Sequence, residues 1–219
     1  MAQDFAVARR NMVDGQLRPN QIVDPALLAA LSSVPREAFV PADRAGIAYS
    51  DEAVPLGGGR ALMEPMALAR LIQIARPATG DAALVVGAGT GYGAAILSRL
   101  VATVVAVESD AALLARARAA LAGAANVTLV EGALAEGGAA KGPYDLILVE
   151  GMIEAIPEAL AAKLAEDGRL VAVVGDGRPG VPGQAHLGRR AGGVFSSRPV
   201  FDIGVPLLPG FAKPRAFAF

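Results

Sequence analysis

An α/β fold built on a doubly wound, mostly parallel sheet is predicted by three features of this sequence. Four short apolar segments, 82–86, 104–107, 127–130 and 144–149, lack the alternation of a half-exposed strand and read as strands buried on both faces. Helical stretches at about 92–100 and 110–121 separate the first three of them. The first segment also runs straight into GAGTGYG, with glycines at 87, 89, 91 and 93, where backbone can turn sharply and approach a ligand with no side chain between.

In chain order, residues 1–40 predict a helical addition ahead of the sheet. Asp24 followed by Pro25 is a helix start, because the carboxylate accepts from free N–H groups and proline fits the first turn. Leu27, Leu28, Leu31 and Val34 supply the apolar stripe, and Pro35 ends it. This helix either caps the core or shapes an acceptor pocket. Residues 48–66, AYSDEAVPLGGGRALMEPM, are dense in turn formers, and Gly57, Gly58 and Gly59 form either a ligand contact or a flexible loop. Pro65 then opens a helix that carries Met66, Leu68, Ala69, Leu71 and Ile72 toward the core and ends near Arg76 and Pro77. Its free N–H groups would lie near the glycine-rich loop.

Beyond the fourth strand, 156–164 predicts a helix, Asp167 and Gly168 a turn, and 169–174 a further buried strand. Residues 185–190 and 199–203 predict a C-terminal antiparallel strand pair. The apolar tail residues Leu207, Leu208, Phe211, Phe217 and Phe219 suit packing over the domain, a dimer contact or a substrate wall.

The 219 residues suit a single domain 1–219, divided into an N-terminal helical and acceptor-side region 1–77, a cofactor-binding core 78–175 and C-terminal strands and tail 176–219. With no cysteine and one histidine, His186, thiolate zinc sites and multi-histidine cages are excluded, and no metal is expected. A net charge of −1 gives no general attraction for nucleic acid. No apolar run reaches the roughly 18 residues of a spanning helix, and the N-terminus lacks the pattern of a secretory signal, so a cytoplasmic location is expected.

No Gly-Lys-Ser/Thr follows the glycines, which removes the phosphate-loop reading, and the dinucleotide spacing fails because Tyr92 stands where the third glycine should be. What remains is G-x-G-x-G from Gly87 to Gly91. Glu108 lies 19 positions after Gly89, at the end of the second predicted strand, where a carboxylate accepts both ribose hydroxyls. NAD uses such an acid too. The imperfect dinucleotide glycines and the long stretch ahead of the first strand favour S-adenosylmethionine.

Five pieces in order, RRNMVDGQL (9–17), SSVPREAFVP (32–41), AYSDEAVPLGGG (48–59), VVGAGTGYGAAILSRL (85–100) and GPYDLILVEG (142–151), resemble the protein-L-isoaspartate O-methyltransferase family over essentially the whole chain. The resemblance implies a methyltransferase-type sheet, S-adenosylmethionine as cofactor, and methyl transfer to the α-carboxylate of isoaspartyl residues in damaged polypeptides. It implies that Gly87, Ala88, Gly89, Thr90 and Gly91 follow the cofactor and that Glu108 holds its ribose. Gly132 and Ala133 match a Gly-Asp pair beside adenine, Ala133 lacking the acid.

On the acceptor side, RALMEP puts Met63 where the family carries a serine, Glu64 at the variable position and Pro65 at the retained proline. Met63 offers no hydroxyl donor. The candidate acceptor residues are Met63 and Glu64, the latter as an orienter or base, with Asp51, Gly58, Arg60 and Pro65 as substrate contacts and Arg60 neutralising an acidic acceptor. Glu150, after the fourth strand, stands beside the same cleft without an assigned role. A carboxylate acceptor with a pKa near 4 is already ionised, so alignment rather than a histidine would carry catalysis. The expected partner is a polypeptide acceptor, with the protein a monomer or homodimer. A different acceptor, or a noncatalytic cofactor-binding role, is the alternative.

Overall fold

In the computed structural model, which describes residues 4–178 and 180–211, the chain opens with helix α1 (Phe5–Met12), whose Asp4 carboxylate accepts from the N–H groups of Ala6 and Val7. A π-helical turn (Val13–Leu17) follows. Helix α2 (Pro25–Ser33) starts as its sequence dictates, with Asp24 accepting from the Leu27 N–H at 3.0 Å and Pro25 in the first turn. Two 3-10 turns, Arg36–Phe39 and Ala42–Ile47, lead to a small hairpin of β1 (Val54–Gly57) and β2 (Arg60–Leu62). Helix α3 (Pro65–Ala75) then buries Leu68, Ala69, Leu71 and Ile72, while Met66 is only partly covered.

The main sheet draws on β3 (Ala82–Val86), β4 (Thr103–Glu108), β5 (Val127–Glu131), β6 (Tyr144–Ile153), β7 (Leu164–Val174), β8 (Gly183–Ala191) and β9 (Val194–Ile203). Helices α4 (Tyr92–Leu97), α5 (Ala111–Ala120) and α6 (Glu158–Ala161) lie between its strands in sequence. The spatial order is β5-β4-β3-β6-β7-β8-β9, with β8 and β9 antiparallel to their neighbours and the rest parallel. The α/β architecture, the N-terminal helical addition and the C-terminal antiparallel pair are all as expected from the sequence.

The central strands β3, β4, β6 and the second half of β7 are buried on both faces. Val85, Ala106, Leu148 and Val171 join a core with the N-terminal helices, α3 and α4. Leu84, Val86, Val107, Val149 and Leu170 join a second core on the opposite face with Leu160, Leu208 and Phe211. Each strand thus feeds alternate residues to two apolar layers, which is why its sequence shows no polar face. The order reverses between β3 and β6, and a ligand crevice in such sheets opens at the carboxyl ends beside that reversal.

Several boundaries differ from the sequence reading. Helix α4 stops at Leu97 rather than near 100. Strand β6 runs on through Glu150 to Ile153, because Met152 and Ile153 pair with Val173 and Val174 across a bulge. The helix expected over 156–164 is confined to Glu158–Ala161, since Leu164 already pairs with Tyr144 as the start of β7. Asp167 and Gly168 form an irregularity inside β7 instead of a turn before it, with Asp167 at φ 61°. In the tail, Leu208 and Phe211 are buried and Leu207 is exposed, whereas Phe217 and Phe219 lie outside the described residues.

Candidate active site at the carboxyl ends of the parallel strands

The register of the central strands sets the site. Val86 is the Cα partner of both Val107 and Val149, so the next residues, Gly87, Glu108 and Glu150, stand at one level on three adjacent strands. Side chains at one level of a parallel sheet share a face. Val86, Val107 and Val149 belong to the second core, so Glu108 and Glu150 project to the face that carries the N-terminal helices and α4.

The glycine-rich loop is bent by Gly87, Gly89 and Gly91, all at positive φ. Gly87 and Ala88 both donate to the Val107 carbonyl, at 3.0 and 3.1 Å, and Gly91 donates to Ala88 at 2.8 Å. The Thr90 hydroxyl donates to the Phe39 carbonyl at 2.5 Å, tying the loop to the N-terminal addition.

Glu108 is fully buried, and its carboxylate accepts from the N–H groups of Gly89 (2.7 Å), Ser109 (2.8 Å) and Asp110 (3.0 Å). A fourth partner is Arg60, whose Nη1 lies 2.6 Å from Glu108 Oε1 while its Nη2 donates to the Gly87 carbonyl at 3.0 Å. Arg60, expected on the acceptor side, is therefore held at the end of β4 instead. A Cβ on Gly87 would meet Leu208 at 2.8 Å and Arg60 Nη2 at 3.4 Å, and one on Gly89 would meet Leu56 at 3.2 Å. Side chains from the β1–β2 hairpin and the C-terminal segment thus lie close against Gly87 and Gly89.

The other expected cofactor positions lie one strand over. The Gly132 N–H donates to the Glu108 carbonyl at 3.1 Å, and the exposed Ala133 accepts from Gly138 at 2.8 Å through its backbone. Glu131 is the register partner of Glu108, at the exposed end of β5.

On the acceptor side, Met63 is 2% exposed, so its thioether packs in the core and its carbonyl takes the polar contact. That contact comes from Arg36, which the sequence reading missed. Arg36 is wholly buried, donates from Nε to the Ala48 carbonyl (2.6 Å) and from Nη2 to the Met63 carbonyl (2.5 Å), and lies 4.9 Å over the Tyr92 ring. The sole local signal for it is SSVPREAFVP, where an arginine is enclosed by apolar and proline residues. Burial lowers the Arg36 pKa.

Among the described residues, two buried carboxyl oxygens near this arginine, Glu64 Oε2 and Glu150 Oε1, have no hydrogen-bond partner. Burial raises Glu64, with Asp51 adding repulsion, and pushes Glu150 up to about 8 against the opposing pull of Arg60 and Arg36. Glu150 therefore favours keeping its proton near neutral pH. Glu150 packs against Gly93, where any Cβ would collide with its carboxyl. Asp51 accepts from the Met66 N–H at 3.4 Å, Pro65 is buried at the head of α3, and Gly58 lies exposed at the hairpin turn. His186 lies on β8, paired with Ala172, two strands away from β6.

Elsewhere a groove of about 1040 Å³ runs between the ends of α2 and α3 and strands β8 and β9, and contains none of the expected site residues. Among the described residues no group of three or more His, Cys, Asp or Glu could hold a metal ion, and no helix is long and apolar enough to cross a membrane.

Comparison with known proteins places this geometry among its relatives. The family model described as protein-L-isoaspartate(D-aspartate) O-methyltransferase matches residues 8–186. A protein-L-isoaspartate O-methyltransferase of Methylorubrum extorquens is 44% identical over 94% of this chain and 91% of its own length. One from Roseiflexus sp. is 40% identical over 95% of each chain. Among solved structures, a protein-L-isoaspartate O-methyltransferase superposes with a TM-score of 0.79 at 23% identity, covering 93% of this chain and 67% of its own. At these identities the structural match speaks to the fold.

Proposed function

The chain belongs to the protein-L-isoaspartate(D-aspartate) O-methyltransferase family, and we infer that it transfers a methyl group from S-adenosylmethionine to the carboxylate of isoaspartyl residues in polypeptides. The observation that carries the reading is Glu108 at the end of β4, one strand from a positive-φ glycine loop at the point where strand order reverses.

The residues fit the cofactor. Glu108 is held in place by three backbone N–H groups and takes a further donor from Arg60, a place where the hydroxyls of a ribose can donate instead. Gly87, Ala88, Gly89, Thr90 and Gly91 would line the methionine and ribose portion, Thr90 through its backbone because its hydroxyl already serves Phe39. Gly132 and Ala133 would lie toward adenine, with recognition resting on backbone and packing.

S-adenosylmethionine supplies a methyl group activated on a sulfonium. An isoaspartyl carboxylate is ionised at neutral pH, so the protein has no proton to remove and its contribution is alignment and the exclusion of water. Glu64 and Glu150 would face such an anion; burial raises Glu64 and pushes Glu150 up to about 8, so that Glu150 does not confront it with a full charge near neutral pH. Asp51, Gly58 and Pro65 would shape the entrance, with Met63 behind them as packing. The same reading takes the chain as one methyltransferase-like domain acting in the cytoplasm on polypeptides, as a monomer or homodimer.

The burial of Met63 favours a second reading, a methyltransferase with a different acceptor, since no hydroxyl stands at that position. Methyl incorporation into an isoaspartyl peptide and its normal-aspartyl counterpart separates the two. Turnover confined to the isoaspartyl peptide is expected, and equal or absent incorporation would overturn the first reading.

A further inference from the structure

Arg60 sits between two carboxyl groups of one sheet level. It is 6% exposed, bonded to Glu108 and to the Gly87 carbonyl, and Gly87 is the residue flanked by Glu108 on β4 and Glu150 on β6. Glu108 has its full set of partners. Glu150 is buried with Oε1 unpartnered.

A buried guanidinium that loses its carboxylate must find another, because an unpaired buried cation costs several kcal/mol. A ligand whose hydroxyls take Glu108 imposes that loss on Arg60. Arg60 follows Gly57, Gly58 and Gly59, all at positive φ, in a two-stranded hairpin that the main sheet does not include, so no main-sheet pairing fixes its backbone. Around Glu150, Arg36 is engaged with the Ala48 and Met63 carbonyls, Tyr92 offers a neutral hydroxyl, Gly93 no side chain, and Glu108 repels, so that Glu150 Oε1 has no hydrogen-bond partner among the described residues.

We propose that Arg60 is a two-position switch: it seals Glu108 until a nucleoside ribose takes that carboxylate, and then pairs with Glu150, whose carboxyl releases its proton to solvent. The O–H bond of Glu150 breaks, its electron pair stays on the carboxylate, and Arg60 keeps its charge throughout. Binding of the cofactor thereby frees Glu108 for the ribose and leaves a neutral Arg60–Glu150 pair beside the acceptor. The switch rests on the S-adenosylmethionine reading above. It is consistent with burial holding Glu150 in its protonated form while Arg60 is engaged elsewhere.

The test is calorimetric titration of the full chain with S-adenosylhomocysteine in buffers of different ionisation enthalpy, which counts protons without any turnover. Near neutral pH the protein should release close to one proton per ligand, and the release should fade above about pH 9, where Glu150 is already ionised before binding. Glu150→Gln should bind with no such release. Arg60→Met, checked for folding by thermal melting, should also lose the release and bind at least several-fold more tightly, because nothing need be displaced from Glu108. Binding without buffer dependence, or a release unchanged in Glu150→Gln, would overturn the switch while leaving the cofactor reading intact. No binding of S-adenosylhomocysteine at all would overturn the cofactor reading itself.

Discussion

Arg60 Nη1 and Glu108 Oε1 lie 2.6 Å apart with both side chains almost wholly withdrawn from water, joining a two-stranded hairpin to the end of the central sheet. A pair so placed is hard to break from one side. Glu108→Gln removes the charge that a ribose would meet and leaves Arg60 buried without its counter-ion. Affinity for S-adenosylhomocysteine should fall about 10- to 100-fold, matching the roughly 1–3 kcal/mol of a charged hydrogen bond. Stability should fall by about 3–5 kcal/mol. Calorimetry and urea unfolding read the two effects separately, and an unchanged affinity would remove Glu108 from the site.

Arg36 ties three pieces of chain together through the carbonyls of Ala48 and Met63 and the ring of Tyr92. Arg36→Met should destabilise the protein by about 2–4 kcal/mol, since two buried carbonyls lose their donors. Arg36→Lys should recover little, because a single ammonium lacks the fork that reaches both acceptors. The urea midpoints of the two variants decide the matter, and full stability in the lysine variant would show the fork to be dispensable.

Met63→Ser restores the residue type that the family resemblance implies at this position. The Met63 side chain is packed in the core, so the change removes buried volume and places a hydroxyl among apolar groups. A loss of about 2–4 kcal/mol in stability is expected, with no gain in isoaspartyl methylation. A rise in kcat/KM would instead show that the side chain reaches the acceptor.

Glu150 gives stability a pH dependence of defined sign. Its folded-state pKa of about 8 lies above the 4.5 of an exposed glutamate, so the unfolded chain ionises first as pH rises. Its contribution is fully favourable below about pH 4.5 and is lost between there and about pH 8, with a slope of up to about 1.4 kcal/mol per pH unit. Urea unfolding at several pH values should show the protein losing stability relative to Glu150→Gln across that window. Parallel curves for the two proteins would contradict the burial argument.

What was legible in the sequence was mostly local. The starts of α2 and α3 follow from Asp24–Pro25 and from Pro65, and β3 is bounded by its own apolar residues and the glycines that end it. The features that escaped depend on distant partners. Leu164 looks like the end of a helix until Tyr144 pairs with it, and Glu150 looks like the end of a strand until Met152 and Ile153 find β7. The glycine loop and Glu108 could be singled out because both sit at the ends of recognisable strands. Arg60 could not be placed, since its partner is 48 positions away and nothing in the hairpin sequence points to it.

The C-terminal segment adds a matter of timing. The Leu208 N–H donates to the Met152 carbonyl and the Met152 N–H to the Pro206 carbonyl, both at 2.8 Å, and the Leu208 side chain rests over Gly87 and Gly151. All seven strands of the main sheet are complete by Ile203, so a chain emerging from the ribosome can assemble its sheet before this roof is made. A stage in which the sheet is complete and Leu208 not yet docked would leave the glycine loop uncovered on that side. A product terminated just after Ile203 would stay there.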